Sequence, residues 1–142
     1  MERRDFIRLS AASIGAGIVA PAIVLAETEK QVKGASDIYY TKDDPGRWSG
    51  KVATHLPNIE IEKASGKITV KVITAHEMKG YEHYIVKHVL LDRNHKFLEE
   101  HLFDPSRDKA AISIFTLQDY SGPLYVLSMC NKHDLWLNAT DV

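Results

Sequence analysis

Beyond residue 50 the chain runs in short stretches that alternate apolar and polar side chains, the period of half-buried β-strands. Lys67-Ile68-Thr69-Val70-Lys71-Val72-Ile73-Thr74 shows it most clearly, and the turn Lys63-Ala64-Ser65-Gly66 separates it from a second alternating segment, Ile59-Glu60-Ile61-Glu62. Tyr84 to Leu91 is rich in β-forming residues and stops at Asp92-Arg93-Asn94-His95, a favourable turn sequence. Further strands are predicted at Lys96–Phe103, Ala110–Leu117, Leu124–Met129 and Leu135–Ala139, with Glu99-Glu100 leaving a helical turn open in the first of these. Seven short strands with turns between them predict an all-β chain folded as an antiparallel β-sandwich. Residues 27–50 are polar and carry the turn-prone run Lys42-Asp43-Asp44-Pro45-Gly46, so they read as an extended lead-in to a domain at 51–142.

The first 26 residues have a different texture. Paired arginines, Arg3-Arg4, precede a mild apolar stretch from Leu9 to Leu25 that closes on Val24-Leu25-Ala26. This layout is that of a twin-arginine signal peptide, and it predicts a periplasmic protein exported already folded. A stretch of about 17 apolar residues also approaches the length of a short membrane anchor. Pro21 and the interspersed small residues favour cleavage, which would leave no membrane attachment. Three of the 18 basic and two of the 19 acidic residues fall in this segment, so the remainder carries a net charge of −2. Near-neutrality without a basic run argues against nucleic acid as a partner.

Candidate chemistry gathers at the single cysteine, in Cys130-Asn131-Lys132-His133. A lone cysteine has no internal disulfide partner, and a thiolate three residues from an imidazole can serve one metal ion. His55 precedes Leu56-Pro57, and His76 and His83 flank a segment around Gly80 that reads as a loop between strands. Each has a plainer reading: Cys130 as a small buried hydrophobe, the histidines as solvated loop residues. Jointly, four imidazoles and one thiolate describe a redox iron site better than a structural zinc. His88, His95 and His101 lack ligand-like company and read as structural or surface residues.

The blocks His55-Leu56-Pro57, His76-x-Met78…Glu82-His83-Tyr84-Ile85 and Cys130-Asn131-x-His133-x-Leu135-Trp136 resemble, in order, the three signature blocks of the superoxide reductases, the desulfoferrodoxin and neelaredoxin family. The resemblance covers roughly residues 47 to 137. It implies an immunoglobulin-like seven-stranded β-sandwich in the single-domain form, since one cysteine cannot build the four-cysteine iron domain of some members. By position it implies a mononuclear non-haem iron held by His55, His76, His83 and His133, with Cys130 as axial thiolate. The implied reaction is reduction of superoxide to hydrogen peroxide, with electrons from an unidentified donor protein. The oligomeric state stays open, a homo-oligomer included.

Three departures from the family pattern bear on that function. Ala53 and Thr54 stand where an acid and a lysine often precede the first histidine. Six residues, not five, separate His76 from His83, and Asp134 occupies a position that is commonly glycine. Lys79, in the enlarged loop, is the favoured replacement for the missing lysine, ahead of Lys51; both also read as ordinary solvated charges. The competing function is an iron-binding electron-transfer or sensor protein of the same fold with little turnover.

Overall fold

The structure is a computed structural model and describes residues 37–142; the segment predicted to be a signal peptide and the first part of the predicted lead-in lie outside them. Seven strands follow in chain order: β1 (Asn58–Ala64), β2 (Lys67–Glu77), β3 (Ile85–Leu91), β4 (Phe97–Leu102), β5 (Ala110–Gln118), β6 (Pro123–Cys130) and β7 (Asp134–Asp141). They form two antiparallel sheets, ordered β1-β2-β5 and β4-β3-β6-β7. The all-β sandwich read from the alternation is the fold observed, with seven strands where seven were predicted.

Local chemistry accounts for the turns. Ser65 and Gly66 link β1 to β2 with both residues at positive φ, the mirror-image hairpin turn that matches strand twist. Gly66, at φ +79°, suits the turn, and a Cβ there would lie 2.8 Å from Asp119 Oδ1, which would have to move aside. Between β3 and β4, Asp92 Oδ1 accepts from the backbone N–H groups of Asn94 and Lys96 at 2.8 and 3.0 Å, a side chain standing in for a turn bond. The Glu99-Glu100 region is strand, not helix, and β4 is an edge strand exposed along its whole length.

The main core lies between the sheets, where Ile68, Val70 and Val72 of β2 meet Leu90, Phe115, Leu124 and Val126. A smaller cluster of Ile85, Phe103, Ala111 and Cys130 sits toward one end. A third joins Tyr40, Leu56 and Trp136. Tyr40 is fully buried and pairs with β7 through Tyr40 N–H to Leu135 carbonyl (2.9 Å) and Leu137 N–H to Tyr40 carbonyl (2.8 Å). The described part of the lead-in, residues 37–50, is thus seated on β7 and leads through a 3-10 turn (Gly46–Trp48) into a one-turn helix, α1 (Val52–His55). Among the described residues no helix is long and apolar enough to cross a membrane.

Candidate metal centre

Five side chains from separate elements converge at one end of the sandwich. His55 closes α1, held there by Leu56 N–H donating to Val52 carbonyl and by the extended geometry that Pro57 imposes on Leu56. His76 lies next to last on β2; the strand runs past the segment predicted for it, through a register irregularity between Thr74 and Glu77. Bulges of this kind re-aim strand ends beside functional sites. His83 follows a tight turn closed by Lys79 N–H to His83 carbonyl (2.9 Å), with Gly80 at φ +58°. Cys130 ends β6, and His133 lies in the turn from β6 to β7.

One potential ligand atom of each of His55, His76, His83, Cys130 and His133 lies within 4.8 Å of every other. Three sides of the imidazole ring are short: His55 Nε2 to His133 Nδ1 is 3.1 Å, His133 Nδ1 to His83 Nε2 is 3.2 Å, and His83 Nε2 to His76 Nε2 is 3.0 Å. Cys130 Sγ is 3.5 Å from His133 Nδ1 and 3.7 Å from His76 Nε2. A neutral imidazole nitrogen is either one donor or one acceptor, so His133 Nδ1 cannot satisfy three such partners by hydrogen bonds. Two nitrogens each ~2.1 Å from one ion and at right angles stand ~3.0 Å apart. The spacing therefore fits nitrogens aimed at a shared metal ion.

The outward-facing nitrogens fix the tautomers. His55 Nδ1 sits 3.1 Å from Lys51 carbonyl and 2.8 Å from Thr54 Oγ1, and His76 Nδ1 lies against Glu77 carbonyl. Protons held there leave the Nε2 lone pairs free for a metal. Burial lowers the pKa of all four imidazoles, that of His55 to about 4, with the charge of His76 next in importance; each is neutral and ligand-competent at pH 7. Burial pushes the Cys130 thiol up, against the N–H groups of Lys132 and His133, which favour the thiolate. A bound cation deprotonates such a thiol outright. Asn131 N–H donates to Tyr84 carbonyl, 3.1 Å away.

Charge and access are uneven around the site. His55, His76 and Cys130 are buried, whereas His83 and His133 are only half-buried, so the site opens on their side. The Lys51 charge is felt at all five ligand-type residues, and that of Lys132 at His83 and His133. Lys79 is exposed, and its backbone forms the bridge to His83. Of the other histidines, His88 is fully buried in hydrogen bonds away from the ligands, and His95 and His101 are exposed.

Sequence reasoning assigned no role to three supports. Asn131 ties the Cys130 turn to the His83 loop: Oδ1 accepts from Tyr84 N–H (3.0 Å), and Nδ2 donates to the carbonyls of Glu82 (3.0 Å) and Tyr81 (3.4 Å). Asp134 has φ +64°, the conformation for which glycine is cheapest. Its Oδ2 accepts from Trp48 Nε1 (2.8 Å) and Arg47 Nη2 (2.6 Å), which hold its carboxyl below the usual range. Trp48 in turn sets its ring edge-on to His133, centroids 4.7 Å apart. The positive φ of residue 134 was the one signal available, through the glycine common there.

The desulfoferrodoxin family model matches residues 47–139, which is most of the chain. The chain belongs to the desulfoferrodoxin family. It is a superoxide reductase-like oxidoreductase, and its His/Cys group suits non-haem iron. Among solved structures, a single-substitution variant of the superoxide reductase (neelaredoxin) from Ignicoccus hospitalis is 29% identical, covers 75% of this chain and 94% of its own, and superposes with a TM-score of 0.65. A superoxide reductase in the oxidized state is also 29% identical, covering 68% of this chain and 93% of its own, TM-score 0.55. The superoxide reductase (neelaredoxin) from Archaeoglobus fulgidus in the reduced form shares the fold at 21% identity, covering 74% and 98%, TM-score 0.57. No curated protein matches the sequence closely enough to count as a relative.

Proposed function

We propose that this chain reduces superoxide to hydrogen peroxide at one non-haem iron held by His55, His76, His83, His133 and Cys130. The observation that carries the reading is the convergence of four imidazole nitrogens and one sulfur within 4.8 Å, in a member of this family. Five donors exceed a tetrahedral zinc set, and iron held by them would still be able to bind a small anion. Bound iron would supply the single electron and a cationic docking point. The balance is one superoxide, one electron and two protons to one hydrogen peroxide.

The chain's own residues divide the remaining work. Neutral imidazoles would hold the metal without cancelling its charge, and the Cys130 thiolate would lend it electron density, tempered by the N–H groups of Lys132 and His133. Lys51 draws the anion toward the site, and Ala53 and Thr54, just before His55, supply neither acid nor cation; the reach of the Lys51 charge over the whole ligand set supports it over Lys79. The protons enter from solvent past His83 and His133, the ligands that are not fully covered.

The Ala53-Thr54 departure is the observation that favours a second reading, an iron-binding electron-transfer or sensor protein with little turnover. Iron analysis with a visible spectrum of the oxidised protein, followed by superoxide consumption coupled to peroxide formation, separates the two. A thiolate-to-iron band lost in Cys130→Ser, together with catalytic consumption, is the expected result; a band without consumption leaves the second reading. The motif at Arg3-Arg4 supports folded export to the periplasm, where a donor protein would deliver the electron.

A further inference from the structure

Between the main core and the metal centre lies a layer of four polar side chains, one from each of β2, β3, β5 and β6. Going toward the site, β2 presents Val72, Thr74 and His76, and β6 presents Val126, Ser128 and Cys130. β5 presents Phe115, Ser113 and Ala111, and β3 contributes Leu90 and then His88. All four polar residues are at most 3% exposed.

They form one hydrogen-bonded chain. His88 Nδ1 is 2.7 Å from Ser113 Oγ, His88 Nε2 is 2.8 Å from Thr74 Oγ1, and Thr74 Oγ1 is 2.9 Å from Ser128 Oγ. His88 and Ser128 belong to the four-stranded sheet, Thr74 and Ser113 to the three-stranded one, so the bonds cross the sandwich. A neutral imidazole, with one donor and one acceptor, completes the chain, and burial keeps His88 neutral by lowering its pKa to about 3, assisted by the charge of His101. Apolar side chains could fill this layer without desolvating four polar groups. What the polar set adds is a fixed, directional distance between sheets.

That distance matters one step further on. Thr74 and Ser128 stand two residues before His76 and Cys130 on the same strand faces, and the sulfur–imidazole approach of 3.7 Å crosses the same two sheets. We infer that His88 is a positioning residue for the metal centre: its brace with Thr74, Ser113 and Ser128 sets the separation of the strands that carry His76 and Cys130. The inference rests on metal binding at that site, and adds to it a residue that touches no ligand.

The test compares iron-loaded full-length variants by thiolate-to-iron charge-transfer band, by chelator competition and by thermal midpoint. His88→Leu should move the band and weaken metal retention by roughly tenfold to a hundredfold, the usual cost of losing a group that orients ligands. His88→Gln, which can still donate and accept, should restore both. Leu124→Ala, in the main core, should lower the midpoint with the band unmoved. Ser113→Ala removes only the Nδ1 partner, and it should give a smaller shift in the same direction even if His88→Leu fails to fold. An unmoved band in Ser113→Ala and in folded His88→Leu overturns the brace, as does an equal shift in Leu124→Ala. A wild-type chain without any band overturns the iron reading itself, and the brace with it.

Discussion

Asn131→Ala tests whether the metal centre is assembled by the loops around it. The backbone bond from residue 131 to Tyr84 carbonyl survives the change, and the side-chain bonds to Tyr84, Glu82 and Tyr81 are lost. The bond at 3.4 Å contributes little, which leaves two good bonds at about 0.5–1.5 kcal/mol each. Asn131 is exposed, so water takes over the freed N–H and carbonyls, and the loss falls in the lower half of that range, about 1–2 kcal/mol. For a domain of this size the thermal midpoint of the metal-free chain should drop by roughly 4–10 °C. Because the same bonds fix His83 against Cys130, chelator competition should show metal held roughly tenfold to a hundredfold more weakly. Asn131→Asp keeps the Tyr84 bond but turns a carboxylate toward two carbonyls, and should fare no better than alanine. Calorimetry and competition together decide the matter. Normal metal retention in Asn131→Ala would refute the argument, because the loop would then hold its shape without the clasp.

The metal-free chain should lose stability as pH falls from about 6.5 toward 3, because burial lowers the pKa of His55 to about 4 and of His88 to about 3, and lowers those of His76, His83 and His133. With folded values below the unfolded one, the unfolded chain takes up protons first, so stability is full above the unfolded pKa and drains away below it; a midpoint that rises on acidification would contradict this. Asp134→Gly relieves a left-handed aspartate, worth roughly 1–2 kcal/mol, and gives up comparable bonds to Arg47 and Trp48, so the midpoint should stay within a few degrees. Trp48 fluorescence should change all the same, and an unaltered spectrum would show that the carboxylate does not orient the ring. Lys51→Met should slow the low-salt reaction with superoxide by roughly tenfold and flatten its ionic-strength dependence, with Lys79→Met nearly silent and Thr54→Lys faster than wild type. Pulse radiolysis across a salt series reads all three, and a steep salt dependence that persists in Lys51→Met would remove that lysine from the role.

The strands were legible because a sandwich buries one face of each, which writes a two-residue period into the sequence; β2 and β5 show it over most of their length. The convergence of the ligands was legible only through motif blocks in family order, since no periodicity reports what happens at strand ends. His55 reads as a loop residue in the sequence because a four-residue helix is too short to display helical spacing. His76 reads as a loop residue because the buried positions at this end of β2, Thr74 and His76, are polar, so the apolar period stops before the strand does. Tyr40 was hidden in a polar stretch whose packing partner, Trp136, lies far along the chain. His88 reads as mid-strand, but its two hydrogen-bond partners, Thr74 and Ser113, and the Ser128 that bonds Thr74 are small hydroxyl residues on three other strands, which nothing in a linear sequence joins.

The bridge between β4 and β5, residues 103–109, divides the ligand set unevenly, with three imidazoles before it and the thiolate and one imidazole after it. Neither side of that bridge therefore owns the centre. Were the chain severed at that bridge, either piece alone would be colourless, and the iron chromophore would be a signal of complementation, developing only as far as the two pieces found each other and closed the sheets.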